Sequence, residues 1–275
     1  MRTAWLVVAA LVGCARGEAA PAGGAASVVV APSPSPSPSR GVAPRVPGSE
    51  SAAVAAHPFD ADAAARAVCE NRPGSSARKA ALEGFDRYIL GTRPFSLAAA
   101  RIDRDACISG LLPSAIAVNL RTGFPAGVSL GMAIQETGGC GGLLVEDNNF
   151  HGQKANLAPA GFSHWSGEKV EVESSESADA GGAKVRSAFM KLAHVDFSFE
   201  SMAERLVHPD VRGHRYEPCL SLRTRPAAFA RCVGRIWSVH RDYAERVLRH
   251  REKHLLERCE LVPSELRLTA SHRGR

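Results

Sequence analysis

Apolar residues recur along the chain in several rhythms, and each rhythm predicts a different element. Small and aliphatic residues return at helical spacing in Ala61–Val68, Ala77–Leu90, Ala98–Leu111 and Ser114–Leu120. Pro125 to Glu136 or Thr137 is apolar nearly all round, which predicts a buried helix with the proline in its first turn. From Gly138 to Gly167 the rhythm is lost in a glycine-rich, irregular stretch. Strict alternation resumes in Lys169-Val170-Glu171-Val172-Glu173. Polar Ser174 to Gly182 and then Ala183-Lys184-Val185 complete the pattern of a small hairpin. Helical spacing returns at Ser198–Leu206 and from Pro226 to about Glu260, with a break near Ser238. The expected class is α+β, a mostly helical domain with a small β-hairpin lobe. No internal repeat is visible.

The N-terminus departs from this pattern. Residues 1–13 carry one charge, Arg2, and a short apolar run from Trp5 to Val12. The run falls short of the ~20 residues that span a bilayer, which predicts a signal peptide. Leu11-Val12-Gly13-Cys14 resembles a bacterial lipobox and makes Cys14 the candidate lipidation site and membrane anchor. Residues 14–59 form a tether holding eight of the 17 prolines, in which the chain cannot bury enough apolar surface to fold. Extended at about 3.1 Å per residue, it reaches on the order of 100 Å from an anchor. The domain is expected over 60–262, followed by a basic tail at 263–275. The expected localisation is an exported lipoprotein, periplasmic or at the cell surface, with the outer membrane as its destination.

Setting Cys14 aside leaves Cys69, Cys107, Cys140, Cys219, Cys232 and Cys259. An even number in an exported chain predicts disulfides, although the spacing does not choose among the pairings. There is no CxxC or HExxH run, so neither a metal nor an organic cofactor is expected. The formal charge of +6 on 275 residues demands no polyanionic partner. Basic residues do gather in 205–275, where 16 Lys and Arg face eight Asp and Glu. Without aromatic residues interleaved they read as a solvated face, and no nucleic-acid partner is expected.

The candidate chemistry lies at the end of the buried helix. Val128, Met132 and Ala133 flank one face, and Glu136 follows on that face as the first ionisable group. Burial and the negative end of the helix both disfavour a carboxylate there, so the Glu136 pKa should be raised. A glutamic acid that keeps its proton near neutral pH can act as the general acid of glycoside cleavage.

The order of motifs around Glu136 extends this reading. Glu136-Thr137-Gly138 and then Asn148-Asn149-Phe150-His151-Gly152-Gln153-Lys154 resemble the E-S-G-W-G and N-N-L-F-G-I-K runs of the glucosaminidase family of bacterial cell-wall hydrolases, glycoside hydrolase family 73. Leu130, Ala133 and Glu136 match its catalytic helix. Ser174-Ser175-Glu176 with Gly181, Lys184 and Phe189 is similar to its T-T-E hairpin, Asp196 to Met202 to its Y-D-S segment, and His214-Arg215-Tyr216 to N-P-R-Y. Trp237 to Val247 is similar to its Y-A-T-D-P-x-Y segment, and together the motifs span roughly residues 80–250.

The resemblance implies a lysozyme-like fold and an endo-β-N-acetylglucosaminidase that hydrolyses β-1,4 bonds of peptidoglycan glycan strands. Glu136 would be the general acid and Glu176 the second catalytic carboxylate, with Glu173 as its substitute. Asn148, Asn149, Phe150, His151 and Tyr243 would form the substrate-binding set, with Asn148 and Asn149 shaping the loop beneath the cleft and Tyr243 lining the sugar subsites, and Trp237 is assigned to the core. The chain departs from the family where Gly139 and Cys140 replace the Trp after the acid, and where His151 and Gln153 replace an aromatic and an Ile. Those departures keep two alternatives open: a lytic transglycosylase using a single Glu, and a non-catalytic peptidoglycan-binding lipoprotein.

Overall fold

In the computed structural model, the described residues are 59–157, 164–175, 184–207, 216–238 and 240–267. They belong to one unit, Ala55–Arg275. The signal peptide, Cys14, the tether up to Pro58, Glu176, His214, Arg215 and residues 268–275 lie outside them.

The structure has the α+β class read from the sequence: nine described helices and a two-stranded antiparallel sheet. Helices α1 (Ala61–Glu70) and α2 (Ser76–Gly84) start at Asp60 and Ser75, whose side chains accept from Ala63 N and Arg78 N. The second helix is shorter than its expected reach to Leu90. After Gly84 the chain tightens into a single 3₁₀ turn, Phe85–Arg87. Phe85 and Tyr88 turn inward there and pack against Phe59, with ring centroids 5.4 and 6.4 Å away. Phe59 therefore belongs to the body rather than to the tether.

The break expected at residues 112–113 falls earlier in the structure. Helix α3 (Leu97–Ile102) ends at Asp103, whose carboxylate accepts from Asp105 N, and α4 (Arg104–Thr122) runs through Pro113. An internal proline forfeits one backbone bond and costs on the order of 3 kcal/mol. Leu111 through Leu120 are all buried, and burying that run offsets the proline's cost.

Helix α5 (Ala126–Thr137) crosses the centre, with every residue from Ala126 to Ile134 buried. Gly131 permits its closest approach to α9 (Tyr243–Lys253), since a Cβ there would lie 2.8 Å from Val247 O. Strands β1 (Lys169–Ser175) and β2 (Lys184–Met190) pair from Lys169↔Met190 to Ser175↔Lys184, so the expected hairpin extends further along its second strand. Helices α6 (Val195–Val207), α7 (Glu217–Leu220) and α8 (Pro226–Trp237) follow, with the α8–α9 break at Ser238 as expected.

All six remaining cysteines are bonded: Cys69–Cys259, Cys107–Cys140 and Cys219–Cys232. The first closes the C-terminal segment onto α1. Beside it the buried guanidinium of Arg78 holds Glu265 at 2.9 and 3.0 Å and donates to the carbonyls of Val68, Arg258 and Glu260. Arg267 N donates to Leu120 O at 2.7 Å. Residues 263–267, expected as the start of a tail, are thus part of the folded body. No described helix is long and apolar enough to cross a membrane.

Candidate active site

Glu136 occupies the last turn of α5, and the backbone after it is held tightly. Gly138, at φ +62°, donates to Ile134 O, and Gly142 N donates to Thr137 O at 2.8 Å. Thr137 Oγ1 donates to Ala133 O at 2.6 Å and accepts from Cys140 N at 3.1 Å. The Cys107–Cys140 disulfide pins this turn to α4. The carboxylate therefore projects from a fixed backbone.

Two neutral donors meet it. Tyr243 Oη, at the first residue of α9, donates to Glu136 Oε1 at 2.7 Å, and Trp237 Nε1, at the last residue of α8, donates to the same oxygen at 3.2 Å. On the other side stands Gly152 at φ +58°, where a Cβ would lie 2.8 Å from Glu136 Oε2. Glycine is needed there both for its left-handed backbone and for the space it leaves.

Glu136 is open to solvent on one side while α8, α9 and the 148–154 run crowd its carboxyl from the others. This one-sided burial pushes its pKa above the ordinary carboxylate range. The bonds from Tyr243 and Trp237 and the nearby His240 draw it only part of the way back. The Tyr243 hydroxyl is held well above its usual value by its own burial and by the Glu136 charge, so it stays a donor. The site thus offers a carboxyl biased toward its protonated form and open to solvent on one side.

The 148–154 run joins this acid to the hairpin. Asn148, at φ +53°, is half-buried and donates through Nδ2 to Leu192 O at 3.0 Å. Asn149 Nδ2 donates to Gln153 O and to Met190 O at 2.9 Å each, while its Oδ1 accepts from Gln153 N. Phe150 meets Phe95 edge-on at 5.6 Å, and its amide donates to Ser198 Oγ. His151 pairs through Nδ1 with Ser198 Oγ at 2.9 Å and through Nε2 with Ser129 O at 3.2 Å. Burial pulls its pKa down to about 4, so the ring is neutral.

These placements revise the expected substrate contacts. Asn149, Phe150 and His151 are all 0% exposed and their polar atoms are bonded internally, so they support the loop from within and present no open surface. Tyr243, 5% exposed, faces Glu136 through its hydroxyl alone. Trp237, assigned to the core, packs against it only in part and turns its N–H to the acid. It gives Glu136 an aromatic neighbour from a remote segment, where the sequence after Glu136 has none. The sequence signal for Gly152 is its place in the N-N-F-H-G-Q-K run. Glu173 is exposed on β1, and Glu176 lies outside the described residues.

A cavity of about 350 Å³ bounded by Phe59, Asp62, Tyr88 and Arg93 shares no residue with this site. Among the described residues no group of three or more His, Cys, Asp or Glu side chains is placed to hold a metal ion.

Neither a family model nor a curated protein matches the chain. Among solved structures, the catalytic domain of the autolysin Auto from Listeria monocytogenes is similar over 68% of this chain and 99% of that one, with 14% identity and a TM-score of 0.48. A peptidoglycan hydrolase mutant from Sphingomonas sp. A1 is similar over 56% of this chain and 96% of that one, with 19% identity and a TM-score of 0.43.

Proposed function

We propose that the protein cleaves β-1,4 glycosidic bonds of peptidoglycan as an exported endo-β-N-acetylglucosaminidase, with Glu136 as general acid. The observation that carries this reading is the Glu136 carboxyl, bonded by Tyr243 and Trp237, open to solvent on its remaining side, with its pKa raised by burial. The acid delivers its proton to the glycosidic oxygen as the C1–O bond breaks, and the bonding pair stays with the leaving sugar. Water adds at C1 and yields its proton to the second carboxylate, a role the motif resemblance gives to Glu176. Asn148 and Asn149 hold the loop beside Glu136 to the end of the hairpin through Leu192 and Met190. The three disulfides support an oxidising compartment, in keeping with export and with a lipid anchor on Cys14.

A second reading has its own support. Tyr243, Trp237 and His240 are the groups that act on Glu136, and no second described carboxylate is among them. One glutamate serving as acid and then base, with the sugar's own 6-hydroxyl displacing the leaving group, describes a lytic transglycosylase. The test is digestion of sacculi by the full exported chain and by Glu136→Gln, with fragments read by mass spectrometry. Reducing N-acetylglucosamine ends lost in the variant support the hydrolase. Anhydro-muramyl ends move the protein to the transglycosylases. Absence of fragments from the parent, with sacculi still bound, leaves a peptidoglycan-binding lipoprotein.

A further inference from the structure

The two oxygens of Glu136 are not equivalent. Oε1 takes both donors, Tyr243 Oη at 2.7 Å and Trp237 Nε1 at 3.2 Å. Among the described residues no donor reaches Oε2, which faces the bare α-carbon of Gly152. Trp237 is itself held in place. The Arg205 guanidinium carbon stands 4.9 Å from its ring centroid, and the Tyr216 ring centroid lies 6.4 Å from it in a tilted arrangement.

We infer that Trp237 is a positioning residue for the acid: with Tyr243 it occupies Oε1, so the transferable proton resides on Oε2 and the glycosidic oxygen is protonated from the Gly152 side. The physical reason is that an oxygen accepting two hydrogen bonds carries the carboxyl's negative character, and the proton then settles on the unbonded oxygen. Trp237 arrives from α8, about a hundred positions from Glu136 in the chain, and so ties the acid's orientation to the α6–α8 packing through Arg205. The inference rests on Glu136 being the acid of the proposed reaction, but its first test needs no turnover.

That test is a ¹³C titration of the Glu136 carboxyl in protein labelled at glutamate, with Glu136→Gln assigning the signal. Parent protein is compared with Trp237→Phe and with a version carrying benzothienylalanine at 237, which keeps the bicyclic shape and has no N–H. Loss of the N–H removes a bond that favours the ionised form, so both versions should titrate at higher pH than the parent. A midpoint unchanged in the benzothienylalanine protein overturns the inference, whatever happens to Trp237→Phe. The second readout is the pH profile of sacculus cleavage. A general acid must be protonated, so activity is lost as pH rises through its pKa. The alkaline limb should move upward in step with the titration, with kcat reduced and KM held. A fall in KM-dependent binding with an unmoved limb would make Trp237 a substrate contact and contradict the inference. If the parent cleaves nothing, the proposed function fails while the titration still decides the role of Trp237.

Discussion

The two ends of α5 carry carboxylates of opposite character. At its N-terminal end Glu260 is sunk among protein, bonded to Arg251 at 3.0 Å, and favoured in its charged form by the Ala126 and Gly127 amides. At its C-terminal end Glu136 has, among the described residues, only neutral donors and no basic partner within bonding distance, and it has an opening to solvent. Helix geometry favours negative charge at the first site and opposes it at the second. Burial raises both pKa values, that of Glu260 to about 7, even against Arg251. A compensated, largely buried carboxylate fastens the C-terminal segment to the helix. An uncompensated one with an opening is equipped to give up a proton.

The most severe way to break this contrast is Glu136→Gln. Cleavage should fall about 10²–10⁴-fold, the usual worth of a positioned general acid, while the melting temperature holds. Removing the cation at the other end should act on stability instead. Arg251→Met leaves Glu260 uncompensated and should cost about 3–5 kcal/mol at pH 8, a loss that shrinks toward pH 5.5 as Glu260 takes up a proton. Thermal unfolding across that range reads both numbers.

A finer test uses linkage. The Glu260 pKa is raised on folding, from an ordinary carboxylate value to about 7. The folded state therefore binds the extra proton, and this contribution to stability grows as pH falls from about 7 toward 4.5 and is lost as pH rises through 7. It is worth up to about 3 kcal/mol. His151 works against it: its folded pKa of about 4 makes the folded state lose stability as pH falls from 6.5 to 4. The net slope of the parent mixes the two, so the informative quantity is the difference between the parent and Glu260→Gln, in which the histidine contribution cancels. That difference should vary with pH in the stated direction; a flat one would remove Glu260 from the account.

Smaller still is Gly152→Ala. The left-handed backbone costs about 1–2 kcal/mol for a side chain, and the added carbon would meet Oε2. Activity should drop further than stability accounts for. Least affected should be the hairpin surface. The exposed Arg186–Glu171 pair, at 3.5 Å, is worth well under about 1 kcal/mol, and Glu171→Gln should leave both stability and cleavage unchanged.

The same contrast shows what the sequence could carry. Helix α5 and its terminal acid were legible because an unbroken apolar run ending in one carboxylate is a local pattern. The hairpin was legible for the same reason. What was lost depends on contacts between remote segments. Pro113 reads locally as a break, but burial from Leu111 to Leu120 keeps α4 continuous. The pairing of six cysteines, one of them bridging a separation of 190 residues, has no local signature. Asn149, Phe150 and His151 belong to the run expected to bind substrate, yet Ser129, Ser198 and Met190 draw their polar atoms inside. Trp237 reads as core because its helix face is apolar. Only the path of the chain after Arg225 brings its N–H to Glu136.

The most direct test is a side-by-side digestion of sacculi by Glu136→Gln and Glu260→Gln at the same concentration and pH. The account predicts that Glu260→Gln releases fragments at close to the parent's rate and that Glu136→Gln releases almost none. Cleavage that survives in Glu136→Gln would contradict it.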